Sequence, residues 1–167
     1  MKIRLSGIVP ESIVDGVGIR MVVFVQGCPH RCKGCHNPQT HEFDGGFESD
    51  TDDVILQMLQ NPLLDGVTLS GGEPFCQAEA LVRIAQSAHE NGLNVWTYSG
   101  YTYEELSEIA SHNQNVKQLL KETDVLVDGR FLLEERSWST RFRGSSNQRL
   151  IDVPESLQSN HVILFTE

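Results

Sequence analysis

Three thiols stand within eight residues of one another: Cys28, Cys32 and Cys35, in "GCPHRCKGCHNPQT" (27–40). The fourth cysteine, Cys76, lies far downstream. In a reducing compartment, clustered cysteines are metal ligands or catalysts more often than disulfides. The spacing is C-x3-C-x2-C. A structural zinc site takes four ligands and closes its tetrahedron, so three thiols on one loop leave two readings. One is a zinc knuckle completed by His30, His36 or Cys76. The other is a 4Fe-4S cube with one iron left without a cysteine. Such an iron keeps a coordination position open for a small molecule, as catalytic metal sites do.

The elements that must position these thiols can be read around them. "RMVVFVQG" (20–27) is apolar and β-branched and ends in Gly, which predicts a buried strand delivering the cysteine loop. "DTDDVILQMLQN" (50–61) predicts a helix, capped by Asp50 or Thr51, with acidic residues where the helix dipole favours them. "GVTLS" (66–70) predicts a short strand followed by "GGEP", and "QAEALVRIAQSAHENG" (77–92) a helix stopped by Gly92. Further strands are expected at 93–100, 123–129, 148–153 and 161–166, and helices at 102–110 and 114–121. The segment "HEFDGGFESD" (41–50) reads as a polar, mobile loop. Alternating strands and helices predict an α/β fold with mostly parallel strands and crossover helices. Five or six strands are too few for a closed eight-stranded barrel, so a partial (β/α) barrel is expected, as one domain over residues 1–167.

In such folds ligands collect at the C-terminal ends of the strands. The cysteine loop, "SGGEP", "TYSGY" and "VDGR" all fall at strand ends, so they should converge on one edge. The net charge of −10 argues against a phosphate-backbone partner. The longest apolar runs, "MVVFV" and "VILF", are far short of a membrane span, and the start shows no secretory pattern, so a cytoplasmic protein is expected.

With its flanks, the cysteine motif resembles the radical S-adenosylmethionine superfamily. "DGVGIRMVVFVQGCPHRCKGCHNP" resembles the N-terminal block of glycyl-radical-enzyme activases, and "LSGGEPF" is similar to that superfamily's Gly-Gly-Glu motif. "VDGRF" followed by "RFRGSSNQR" resembles the activating proteins of anaerobic, class III ribonucleotide reductases. The resemblance implies that Cys28, Cys32 and Cys35 hold three irons of a 4Fe-4S cluster. S-adenosylmethionine would bind the fourth iron through its amino and carboxylate groups. It implies cofactor contacts from Gly34, His36, Gly71, Gly72 and Glu73, the last taking the bound ammonium, and from Asp128, which matches an acidic position beside the cofactor or a cation. The implied reaction is reductive cleavage of S-adenosylmethionine to a 5′-deoxyadenosyl radical. That radical takes hydrogen from a glycine of anaerobic ribonucleoside-triphosphate reductase. Reduced flavodoxin, or a donor of similarly low potential, would supply the electron. Two positions depart from the pattern: Gly34 stands where related enzymes carry an aromatic residue, and Arg130 where many carry Lys.

Competing readings remain at this stage. The target could be another glycyl radical enzyme, such as pyruvate formate-lyase, or the chain could be a non-enzymatic zinc-binding module. "GVG" (16–18) precedes a strand and lacks a third glycine, which excludes a dinucleotide loop. Cys76 reads as a semi-buried small residue. Arg130, Arg136, Arg141, Arg143 and Arg149 form either a solvated surface, a docking face for the reductase, or contacts to the cofactor carboxylate.

Overall fold

The computed structural model describes residues 1–167. The first half contains β1 (Lys2–Ser12), β2 (Arg20–Val25), β3 (Phe47–Asp50), α1 (Thr51–Leu59), β4 (Gly66–Gly71) and α2 (Ala78–Glu90). The second half contains β5 (Asn94–Tyr98), α3 (Tyr103–Ala110), α4 (Gln114–Glu122), β6 (Val125–Asp128), β7 (Arg149–Asp152) and α5 (Val153–Ser159). Seven strands form one open sheet in the order β3-β1-β2-β4-β5-β6-β7. The central four, β2, β4, β5 and β6, are parallel, and β1, β3 and β7 pair antiparallel at the flanks.

The order explains the shape. From β2 to β6 each new parallel strand is added on the same side of the last. Right-handed crossovers then place every connecting helix on one face. That face is the main core: Met21, Val23, Val25, Val67, Leu69, Val95 and Leu126 pack against residues of α1 to α4, including Met58, Leu81, Ile84, Leu106 and Leu119. Side chains alternate along a strand, so Arg20, Thr68, Trp96 and Val127 fall on the opposite face. There Trp96, Val125 and Val127 are covered by Phe142, Leu150 and Phe165. One face covered by helices and two unpaired edge strands make a partial barrel.

The helix starts follow local chemistry. Asp50 caps α1, its carboxylate accepting from the Asp52 amide at 2.9 Å. Thr102 and Glu105 form a reciprocal capping box on α3. Arg20 is the unexpected core residue, fully buried with no carboxylate partner. Its guanidinium donates to Thr68 Oγ1 at 2.7 Å and to the carbonyls of Val17 and Val67 at 2.9 Å each. It lies over the Trp96 ring at 5.4 Å. Burial lowers its pKa to about 10, so it remains a cation that ties the turn before β2 to the sheet.

Three expectations are corrected. The strand count is seven, because β1 and β3 escaped the pattern. Residues 47–50 are not a loop but β3, whose backbone pairs Phe47 to Asp50 against β1. Residues 161–166 are not a strand: Leu164 alone bridges Ile151, and the segment runs beside β7 without a continuous ladder.

Helix α2 is fastened by His89, whose two ring nitrogens meet Glu122 at 2.9 Å and Asp124 at 2.8 Å. Burial alone would lower its pKa, but the hydrogen bonds to Asp124 and Glu122 outweigh that and raise it above 6.5. A raised folded-state pKa stabilises fully below the unfolded value and ceases to do so as pH rises through the folded one. The stability gap between wild type and His89→Gln should therefore be widest below the ordinary imidazole pKa of 6.5 and narrow as pH rises through the raised one. Thermal melts across that range check it, and a gap that widens with pH would contradict the clamp.

Candidate functional site

The four parallel strands all end at one edge, and the special segments meet there. The cysteine loop leaves β2, "GGEP" leaves β4, "SGY" leaves β5 and "GRF" leaves β6. Backbone bonds join the first two directly: Gly72 N donates to Val25 O at 2.8 Å, and Glu73 N to Gly27 O at 2.8 Å. Gly71 takes φ 96°, and a Cβ there would lie 2.5 Å from the Val25 amide nitrogen. A Cβ on Gly72 would lie 2.3 Å from the Gly27 carbonyl oxygen. Both glycines are therefore demanded by contact between β4 and the start of the cysteine loop. Gly72→Ala should force these backbones apart and destabilise the chain by about 1–3 kcal/mol, read as a lower denaturation midpoint. An unchanged midpoint would show that the contact relaxes without cost.

The cysteine loop is irregular and anchored at both ends. Gly27 N donates to Thr40 O at 2.7 Å, and Cys28 N to His41 O at 3.1 Å. Cys28, Cys32 and Cys35 are half-buried free thiols. Cys35 N closes a turn onto Cys32 O at 3.1 Å, and the Cys35 sulfur accepts from Asn37 N at 3.4 Å. Burial raises the Cys28 pKa, and the nearby charges of Glu73 and Cys32 add to this, while the His30 and Arg31 amides favour its thiolate. Iron must therefore displace a proton from Cys28. Gly34 has φ 77°, and a Cβ there would sit 2.9 Å from Leu133. Phe131 and Leu133, from the loop after β6, occupy the space over it, and Phe131 packs against His36 with ring centroids 5.0 Å apart. Phe131 thus places an aromatic ring beside Gly34.

Glu73 is an N-terminal cap buried among donors. Its side chain is 0% exposed. Oε1 accepts from Gly100 N at 2.9 Å and meets His30 Nε2 at 2.7 Å, and Oε2 accepts from Phe75 N at 3.1 Å. The Ser99 hydroxyl reaches both oxygens, at 2.9 and 3.0 Å. The carboxylate therefore joins the ends of β4 and β5 to the cysteine loop. Asp128 is similarly engaged. It is 1% exposed, accepts from Tyr103 N at 2.8 Å and pairs with Arg149 through Nε at 3.1 Å and Nη2 at 2.5 Å. Asp128 and Glu104 raise the Arg149 pKa.

Arg130 donates to Gly100 O at 2.8 Å and to Glu105, and this pair holds the Glu105 carboxyl down at about 2. The five arginines therefore divide: Arg130 and Arg149 are bound into the site's frame, Arg141 pairs with Glu167, Arg143 donates to the carbonyls of Arg141 and Gln148, and Arg136 lies over the exposed Trp138 at 5.0 Å. Cys76 is exposed rather than semi-buried as expected, because it sits at the surface of the turn after "GGEPF"; partial desolvation of its sulfur, with the charges of Glu73 and Cys28 nearby, still pushes its pKa up to about 12. Sequence reasoning offered His30 only as a zinc ligand, placed Ser99 and Gly100 only within the strand-end segment "TYSGY", and gave Phe131 no role at the site. The signals available were a histidine between two cysteines and a Ser-Gly pair closing a strand.

The donor set fits a cluster. No three His, Cys, Asp or Glu side chains gather at the spacing of a single metal ion, and His30, a candidate fourth zinc ligand, has Nε2 engaged by Glu73. Three thiols on one loop, with an amide donating to sulfur, suit irons that each take one thiolate. No helix is long and apolar enough to cross a membrane.

Comparison with known proteins agrees. Residues 14–151 match the family model of a 4Fe-4S single cluster domain. The anaerobic ribonucleoside-triphosphate reductase-activating protein of Haemophilus influenzae is 35% identical over 149 residues, 83% of this chain and 91% of that protein. The protein of that name from Escherichia coli is 33% identical over 147 residues, 83% of this chain and 92% of its own. The pyruvate formate-lyase-activating enzyme of Clostridium pasteurianum is 39% identical over 127 residues, 72% of this chain but 53% of that enzyme. With near full-length matches on both sides and a cluster domain spanning the thiol loop and the parallel strands, the chain belongs to the family of anaerobic ribonucleoside-triphosphate reductase-activating proteins.

Proposed function

We propose that this chain is a radical S-adenosylmethionine oxidoreductase that activates an anaerobic ribonucleoside-triphosphate reductase. It works as one domain over residues 1–167 in the cytoplasm. Cys28, Cys32 and Cys35 hold a 4Fe-4S cluster, and the iron without a cysteine takes S-adenosylmethionine. When bound, the pair supplies reductive carbon–sulfur cleavage and a 5′-deoxyadenosyl radical that removes hydrogen from a glycine Cα of the reductase. The electron comes from a low-potential donor such as reduced flavodoxin.

The chain's own residues position and shield these groups. Gly71 and Gly72 let the backbone after β4 lie against the cysteine loop. Gly34 and His36, under Phe131, form the wall beside the third thiol, where the adenosine would rest. Glu73 and Asp128 hold the ends of β4, β5 and β6 around the cofactor, with their carboxylates braced by His30 and Arg149. The observation that carries this reading is the pinning of the C-x3-C-x2-C loop onto "GGEP" by Gly27 O and Glu73 N, 2.8 Å apart. It supports the reading by bringing the thiol loop and the "GGEP" segment to one edge.

The test is anaerobic reconstitution with iron and sulfide, reduction, and addition of S-adenosylmethionine. A cluster resonance that changes with the cofactor, release of 5′-deoxyadenosine and a glycyl radical on the reductase are expected. A zinc-filled protein that releases none would overturn the reading. The 39% identity to a pyruvate formate-lyase-activating enzyme favours a second target. A glycyl radical appearing on that lyase but not on the reductase would select it.

A further inference from the structure

We propose that His30 is a positioning residue for the cluster: through Glu73 it holds the Cys28–Cys32 turn in the shape in which the thiols bind iron. This rests on the proposed function, since it takes these thiols as cluster ligands. His30 lies between two of them in sequence, and its Nε2 is engaged by a carboxylate. Its side chain is 5% exposed, and Nε2 meets the buried Glu73 carboxylate at 2.7 Å.

The ring is confined on every side the turn leaves open. It stands edge-on to Tyr101, with centroids 4.5 Å apart. It fits only because residue 100 has no side chain: a Cβ on Gly100 would lie 2.3 Å from His30 Cδ2. Glu73 is itself fixed by Ser99, Gly100 and Phe75. A side chain of the thiol loop is thus gripped by the ends of β4 and β5, neither of which carries a cluster ligand.

The next residue shows why a grip is needed. Arg31 adopts φ 48°, a left-handed conformation that is strained for a non-glycine residue. Such a residue persists only where its surroundings over-determine it, and the buried His30 contact supplies that constraint one residue away. The same loop places an amide on a ligand sulfur, Asn37 N donating to Cys35 Sγ at 3.4 Å. Hydrogen bonding to a ligand sulfur is one of the levers on cluster potential. Loosening the turn should therefore change both retention of iron and potential.

The experiment compares wild type with His30→Ala, His30→Gln, which keeps a donor for Glu73, and His30→Phe, which keeps a ring against Tyr101 without one. Amide hydrogen exchange over residues 28–36 and thermal melts are measured on the apo-proteins. After anaerobic reconstitution, iron and sulfide per chain, iron release to a chelator and the midpoint potential are measured. His30→Ala should fold cooperatively, exchange faster in this loop, release iron about 10–100-fold faster and shift in potential. His30→Gln should recover most of the retention, and His30→Phe should not.

Wild-type retention and potential in His30→Ala would overturn the inference alone. So would equal retention by the Gln and Phe variants, which decides the matter if the Ala variant fails to fold. A wild-type chain that takes up no iron and sulfide would overturn the proposed function, and this inference with it.

Discussion

Cys32→Ala is expected to abolish cluster assembly and S-adenosylmethionine cleavage together while leaving the fold in place. Cys32 sits half-buried in an irregular loop and belongs to neither hydrophobic cluster. Its carbonyl, which closes the turn to Cys35, is kept in the variant. Substitution away from the core is usually worth within about 0.5 kcal/mol, so the apo-variant should melt close to wild type. The loss falls on the cluster, because two thiolates cannot hold a cube that three already leave with an open iron. Iron and sulfide per chain, read beside the apo melting temperature, check this. A variant that keeps full iron and sulfide would remove Cys32 from the ligand set.

Glu73→Ala is expected to destabilise the apo-protein by about 3–5 kcal/mol, the range for breaking a buried charged network by removing one partner. For a chain of this size that lowers the melting temperature by on the order of 10 °C. The reason lies in what the carboxylate leaves behind. The Phe75 and Gly100 amides, the Ser99 hydroxyl and the His30 ring all turn toward it. Alanine offers them no acceptor in a site with no room for bulk water, and each unsatisfied buried donor costs about 1–3 kcal/mol. A residue that touched only the bound cofactor would behave otherwise, leaving apo-stability unchanged and weakening S-adenosylmethionine binding alone. The apo melt therefore separates a bracing role for Glu73 from a purely ligand-binding one. A wild-type melting temperature would return Glu73 to the cofactor.

The chemistry and the central strands were legible because their signals are local. C-x3-C-x2-C is a spacing along the chain. The runs at 20–27, 66–70, 93–100 and 123–129 read as strands because a strand buried on both faces must be apolar at successive positions. Asp50 could be named as a cap because its partner, the Asp52 amide, is two residues away. The parallel order followed from helices lying between strands.

The flanks of the sheet were hidden for the same reason reversed. In β1, Gly7 and Pro10 interrupt the pattern, and its register shifts twice against β2, between Leu5 and Gly7 and between Val9 and Ser12. The polar "FESD" of β3 is recruited by backbone bonds to β1, which side-chain pattern does not encode. The apolar "HVILFT" carries strand propensity, yet it lies outside the ladder beyond β7 and gains only one bridge.

The sequence by itself determined the three thiols, their loop, the strand that delivers it and the helices that return the chain to one edge. Each of these depends on residues close together in the chain. Only the tertiary structure decided which donors the two acidic residues meet. Glu73 finds His30 43 residues before it and Gly100 27 residues after it, and Asp128 finds Arg149 21 residues on. A buried carboxylate must collect donors from whatever surrounds it, and what surrounds it is set by the packing of strand ends that are distant in sequence.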